Sequence, residues 1–192
     1  VSTSAQATSD LTVSYSGADW STNQQGVDLS GTQVISFSAG IATFTDLRLS
    51  GKVGSYTLKY TTAINSNISV SEVVVVQPGN ATKISQLQGP QDVIAGEQFG
   101  TALEVEILDA YDNRVTRLTS STTVVAKLIS SASSVLETSA EFGAQGGVVT
   151  FSGLVFTTSG EVTVRYEVGA NSSVSPLTST TSATFKLSLI HI

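Results

Sequence analysis

The chain has 192 residues and contains neither cysteine nor methionine. That removes disulfide staples, thiolate metal sites and a cysteine nucleophile together. Histidine occurs once, as His191, next to last in the chain, so a serine or threonine nucleophile elsewhere has no imidazole base to work with. Charged residues are scarce at 12%, and their balance is acidic, with a formal net charge of −6 and a pI near 4.6. Phosphate backbones are repelled by such a surface, so no nucleic acid is expected as a partner. No uninterrupted apolar run reaches the roughly eighteen residues of a membrane helix, so no membrane insertion is expected. Helical periodicity is missing too: no window of about eleven residues or more keeps a 3.6-residue apolar repeat.

What the chain does have is Ser, Thr, Val and Gly around an apolar fraction of 40%, with a mean hydropathy of +0.20. This composition suits pleated, half-buried strands and supplies enough apolar surface for a core, which argues against disorder. The decisive pattern is internal. GIATFTDLRLSGKVGSYTLKY, Gly40 to Tyr60, returns as GVVTFSGLVFTTSGEVTVRY, Gly147 to Tyr166. Gly40 pairs with Gly147, Phe44 with Phe151, Leu47 with Leu154, Gly54 with Gly160 and Tyr60 with Tyr166. The spacing is 147 − 40 = 107 residues at the start and 166 − 60 = 106 at the end, about one immunoglobulin-sized sandwich.

The expected fold is therefore all-β, with two tandem immunoglobulin-like β-sandwich domains meeting at Pro78-Gly79. Residues 1–77 form the first and 78–187 the second. By the repeat arithmetic the first lacks its N-terminal strands, the counterparts of Ala81 to Leu108. A cut at the other end is expected as well, because Leu187-Ser188-Leu189-Ile190-His191-Ile192 matches the translation of a transposon adapter used in sequencing libraries; the alternative is an ordinary apolar C-terminal strand. On that reading 187–192, including the sole His191, is adapter translation.

Alternation predicts strands in the first domain at Leu11 to Tyr15, Val34 to Phe37, Ile41 to Phe44, Tyr56 to Tyr60 and Val70 to Val76. Four consecutive valines, Val73 to Val76, suggest a strand covered on both faces or an edge at the domain junction. The second domain is expected to carry strands at Thr82 to Leu87, Leu103 to Ile107, Thr123 to Ile129, Val135 to Phe142, Val148 to Phe151, Val162 to Val168 and Ala183 to Leu187. Glu104 and Glu106 alternate with Leu103, Val105 and Ile107, which gives that strand an acidic, solvent-facing side. Tyr56, Tyr60 and Tyr166 read as core residues whose hydroxyls reach the rim or a backbone carbonyl.

The segments PGNATKI, AGEQF, LEVEILDAYDN, GVVTFSGL and GEVTVRY resemble the bacterial immunoglobulin-like and filamin-like repeats found in tandem in very large surface, adhesion and cell-wall proteins. The resemblance covers nearly all of the second domain and most of what the first retains. Its pattern encodes core and turns. What it implies is a non-catalytic structural spacer or adhesive stalk at the cell surface, with neighbouring repeats of the same chain as partners, no cofactor and no catalytic residues to carry over. Where such repeats often place Gly before the Asn of a turn, this chain has Asp112.

Candidate sites are few. Asp109, Asp112 and Asn113 form the densest cluster of oxygen ligands, yet calcium takes about six to eight oxygens, and a β-turn with side chains bonded to their own backbone explains the cluster more simply. Glu104 and Glu106 share a strand face with no sign of acid–base tuning. Asn67, Asn80 and Asn171 head glycosylation sequons, which arise readily by chance in a chain this rich in Ser and Thr. Trp20 is the lone tryptophan, with no second aromatic near it for a sugar-stacking platform. The alternative to a spacer is a module that binds a surface glycan or a protein through loops at one end of the sandwich, Ser16 to Gly26 or Thr157 to Glu161. A third possibility is that the missing strands leave a groove that a partner strand fills.

Overall fold

The computed structural model describes residues 10–17, 26–62, 68–174 and 176–189. Trp20, Asn67 and residues 190–192 lie outside them. All regular structure among the described residues is β. The chain divides after Gln77. The first unit holds β1 (Asp10–Gly17), β2 (Asp28–Ser30), β3 (Val34–Ser36), β4 (Arg48–Ser50), β5 (Gly54–Thr62) and β6 (Ser69–Val76). The second opens with β7 (Lys83–Gln88), β8 (Val93–Ile94), β9 (Leu103–Leu108), β10 (Thr123–Ser130) and β11 (Val135–Thr138). It continues with β12 (Phe142–Gly143), β13 (Val148–Phe151), β14 (Gly160–Val168), β15 (Thr180–Thr181) and β16 (Phe185–Ser188).

The second unit is a complete sandwich. One sheet runs β13-β9-β7, and the other runs β11-β10-β14-β16-β8, with β12 also on β10 and β15 on β14. All its ladders are antiparallel except β16 with β8, where Leu187 sits opposite Val93. Because successive side chains in a strand point to opposite faces, alternate residues line the space between the sheets. Leu103, Val105 and Ile107 of β9, each 0% exposed, meet Val124, Ala126 and Leu128 of β10 and Val162, Val164 and Tyr166 of β14. Phe151 stacks on Tyr166 with ring centroids 5.4 Å apart and planes inclined at 43°. Each fully buried Leu, Val, Ile or Phe in such a core contributes about 1.5–3 kcal/mol. This is an immunoglobulin-like sandwich. Leu187, the first of the six C-terminal residues, is buried in it.

The first unit keeps one sheet of that plan, β3-β1-β5-β6, with β2 and β4 paired beside it. By the repeat, β5 corresponds to β14 and β6 to β16; β1 lies on β5 as β10 lies on β14. The aromatic pair recurs: Phe44 and Tyr60 are 5.9 Å apart at 44°. The turn before it recurs as well. Ser38 and Ile41 exchange backbone hydrogen bonds of 2.9 and 3.0 Å, as Gln145 and Val148 do at 2.7 and 3.1 Å. The two residues between are left-handed in both copies, Ala39-Gly40 at φ 51° and 80° and Gly146-Gly147 at 56° and 79°. Ala39 therefore occupies a conformation that its counterpart fills with glycine.

Several expectations need correction. Ile41 to Phe44 is not a strand. In the second unit the equivalent β13 is held by β9, with Val149 opposite Val105 and Phe151 opposite Leu103. The first unit has no counterpart of β9 among its described residues, and a strand without a ladder partner is not formed. Val73 to Val76 is not covered on both faces: β6 is the edge of its sheet, paired only with β5, and Val73 and Val75 point outward at 66% and 60% exposure. Val135 to Phe142 is two short strands, β11 and β12, both laid on β10. The acidic side of β9 is the outer face, as expected, but it is partly covered: Glu106 is ion-paired to Arg114 at 2.9 Å and Glu104 accepts from the Thr150 hydroxyl at 3.2 Å. Tyr56 donates to the Lys52 carbonyl at 2.9 Å as expected, but the Tyr166 hydroxyl is buried without a hydrogen-bond partner, and burial pushes its pKa up.

The repeated pair gives a graded prediction. Phe151→Ala opens a cavity in a closed core and should cost about 3–5 kcal/mol, whereas Phe44→Ala, at a half-covered site, should cost less than about half of that. Denaturant unfolding of the full chain, resolved by unit through amide exchange, measures both. At the turn, Ala39→Gly relieves a left-handed alanine and should stabilise the first unit by about 0.5–1 kcal/mol, leaving the second unchanged in the same experiment.

Candidate functional site

The oxygen cluster at the end of β9 is a closed hydrogen-bond latch. The apolar alternation of β9 ends at Leu108, and the chain reverses over the next five residues before Arg114 bridges back to Leu108. Asp109 at the start of this turn is only 2% exposed, which for a carboxylate demands donors. It has four. Oδ1 accepts from the backbone N–H of Tyr111 at 2.8 Å and of Asn113 at 3.0 Å, and Oδ2 from Gly79 N–H at 2.7 Å and Asn113 Nδ2 at 3.0 Å. Burial pushes the Asp109 carboxyl up, but these hydrogen bonds outweigh it and hold the pKa below the ordinary 3.8. Asp112, left-handed at φ 60°, is ion-paired to Lys83 on the neighbouring β7.

Gly79 links the latch to the first residues of the unit. Arg117 closes on the same segment, donating from Nη1 to the Pro78 carbonyl at 2.7 Å and from Nη2 to the Gly79 carbonyl at 2.8 Å and Asn80 Oδ1 at 3.3 Å. The structure thus brings Asp109, Asp112 and Asn113 into one turn, with the Asp109 oxygens facing N–H donors. Among the described residues, no three or more His, Asp or Glu side chains gather as a metal site.

Other carboxylates are engaged in the same way. Glu137 accepts from Thr157 N–H at 2.9 Å and Thr158 N–H at 2.5 Å, pinning the loop Thr157 to Glu161 against β11. Burial raises its pKa, yet the bonds from Thr158 and Thr157 prevail and lower it. Glu141 accepts from the Thr123 hydroxyl at 2.7 Å and Asn171 Nδ2 at 3.1 Å, and the Thr123 bond leads the causes that hold its pKa down. Glu167 sits between Lys127 and Arg165, each at 2.5 Å, and the Lys127 hydrogen bond is the main cause of its lowered pKa. Asn80 and Asn171 are both exposed.

The groove expected from the missing strands has a definite lining. In the first unit Leu11, Ala42, Thr43, Phe44, Leu47, Leu58 and Tyr60 line a groove of about 590 Å³, on the side where β9 covers the second unit. The repeat arithmetic announced missing strands; the lining required the structure.

No family model and no curated protein matches the chain. Among solved structures, titin domains Z1Z2 in complex with telethonin align over 94% of this chain and 82% of that one, at 17% identity and a TM-score of 0.29. A chimeric titin Z1Z2-Z1Z2 tandem carrying an exogenous fibronectin peptide aligns over 96% and 85%, at 14% identity and a TM-score of 0.28. Scores this low say nothing about function, and the immunoglobulin-like character rests on the sandwich itself.

The latch makes stability depend on acid in a defined direction. A carboxyl with a pKa lowered on folding contributes stability that is present above its unfolded value and lost as pH falls through the folded one. Unfolding of the second unit should therefore become easier below about pH 4, and Asp109→Ala should cost about 2–3 kcal/mol near neutrality while flattening the acid dependence. Urea titrations across pH 2–7 measure both.

Proposed function

We propose that the chain is a non-catalytic structural spacer or adhesive stalk segment from a large extracellular repeat protein, of the bacterial immunoglobulin-like or filamin-like kind. The observation that carries the reading is where the two units agree. The residues common to both, Gly40/Gly147, Phe44/Phe151, Leu47/Leu154 and Tyr60/Tyr166, are turn and core, and the turn keeps its backbone angles to within a few degrees. Exposed positions inside the repeat show no such agreement: Arg48 stands where the other copy has Val155, and the stretch from Gly40 to Gly54 is one residue longer than that from Gly147 to Gly160. A repeat that keeps its fold and not its surface serves length and stiffness rather than one recognition event.

The carboxylates support the same reading. Asp109, Glu137, Glu141 and Glu167 each hold a turn, a loop or a neighbouring cation, which is structural work. Arg117 and Asp109 together fix the entry segment Pro78 to Asn80 to its own sandwich, so a pull on the chain reaches β7 through several bonds rather than one. The cell surface is the proposed location, and neighbouring repeats are the proposed partners.

Glycan and folded-protein arrays probed with the full chain test this. The expected result is no saturable binding; a saturable ligand that is lost on replacing the Thr157 to Glu161 loop with Gly and Ser would replace the spacer with a binding module.

A further inference from the structure

We propose that Arg117 and Asp109 form a clasp that opens by itself under tension, releasing Pro78 to Asn80 while β7 and the sandwich behind it stay folded. The clasp is then a short, reversible extension at the entry of the second unit. Its use under load rests on the spacer reading; its opening does not, and is measured separately.

Two side chains from the connection between β9 and β10 hold the entry segment. Arg117 donates to the Pro78 and Gly79 carbonyls and to Asn80 Oδ1, at 2.7, 2.8 and 3.3 Å, and Asp109 Oδ2 accepts the Gly79 N–H at 2.7 Å. Among the described residues, Pro78, Gly79 and Asn80 make no other hydrogen bond. The segment fills none of the core either: Gly79 and Asn80 are exposed, Pro78 is half-buried, and packing against the core begins with Ala81. From the next residue on, the attachment changes in kind. Thr82 N–H donates to the Leu108 carbonyl at 2.8 Å, the Thr82 carbonyl accepts from Thr178 N–H at 2.9 Å, and Ile84 N–H donates to the Thr178 carbonyl at 3.0 Å. β7 then runs along β9 from Lys83 opposite Leu108 to Gln88 opposite Glu104, with Ile84 only 4% exposed.

This boundary separates two events. Tension applied at Gln77 reaches the clasp before β7, because the clasped residues come first in the chain. The bonds to three successive residues are loaded one after another, whereas β7 leaves only when its ladder breaks and Ile84 comes out of the core. Opening the clasp exposes no core side chain, so it is a local event well below global unfolding in free energy. It also leaves its own seat standing: Asp109 keeps its bonds to Tyr111 and Asn113 when Gly79 departs, so the turn stays ready for reclosure. Three freed residues add about 10 Å of chain at about 3.4 Å each. The guanidinium suits the task, since its rigid fork bonds two successive carbonyls at once, which a lysine ammonium does not reproduce.

Because the chain has no cysteine, Gln77→Cys and Leu189→Cys, both at exposed positions, provide two unique thiol handles that load the second unit within the full chain. Optical-tweezer stretching should show a reversible lengthening of about 10 Å before that unit unfolds. Arg117→Ala should abolish the step while leaving the urea midpoint of the second unit unchanged, and Arg117→Lys should keep the step at lower force. Without tension, amide exchange at Gly79 should quicken about tenfold in Arg117→Ala, with Ile84 unaffected. The proposal is overturned by the lack of an early step, by a step that survives Arg117→Ala, or by exchange that rises equally at Gly79 and Ile84, since the segment would then open only together with β7. A saturable ligand on the arrays would remove the spacer reading and leave the clasp in place.

Discussion

A strand's inner face is stable only when a second sheet lies over it, and both units turn on how that requirement is met around one aromatic contact. Phe151 against Tyr166 is sealed by β9; Phe44 against Tyr60, built from the same repeat and held at nearly the same angle, is open. The consequence spreads outward from there. With its cover, Val148 to Phe151 becomes a strand, and without it Ile41 to Phe44 stays irregular. With its parallel partner β8, the last strand of the second unit buries Leu187; among the described residues β6 has no such partner and leaves Val76 half-exposed.

The polar groups of the second unit follow from the same closure. A sandwich that buries its sheets also buries the turns joining them, and a buried carboxylate must be fully bonded. Asp109 answers that demand by gathering four N–H groups from its own turn and from the chain's entry at Gly79. Glu137 and Glu141 do the same for the loops beside β11 and β12. Acidic residues that could have formed a site are instead the means by which loops are fastened, which agrees with the proposed role of a spacer.

Much was legible in the residues. The alternation of LEVEIL, of VVTF and of GEVTVRY located β9, β13 and β14, because a period of two has one structural meaning once helical periods are missing. The spacing from Gly40 to Gly147 placed the division near Pro78. The left-handed Ala39 and the burial of Asp109 were not legible: one is a backbone angle dictated by the hairpin it closes, and the other depends on Gly79, thirty positions away in the chain. The partnering of Glu106 by Arg114 likewise needed the turn to fold back.

The sequence by itself determined the class of structure, the number of units and the absence of cysteine and imidazole chemistry from the body of the chain, since composition and periodicity are local properties. Tertiary structure decided which repeated residues are buried, because burial depends on what lies opposite. Val73 to Val76 read as a strand covered on both faces or an edge at the domain junction, and Val73 and Val75 are exposed; Asp109 read as part of a self-bonded turn, and its burial was added by the fold. Val73 and Val75 lie on the outer face of β6, opposite the inward Val74, and Asp109 is met by Gly79 thirty positions away.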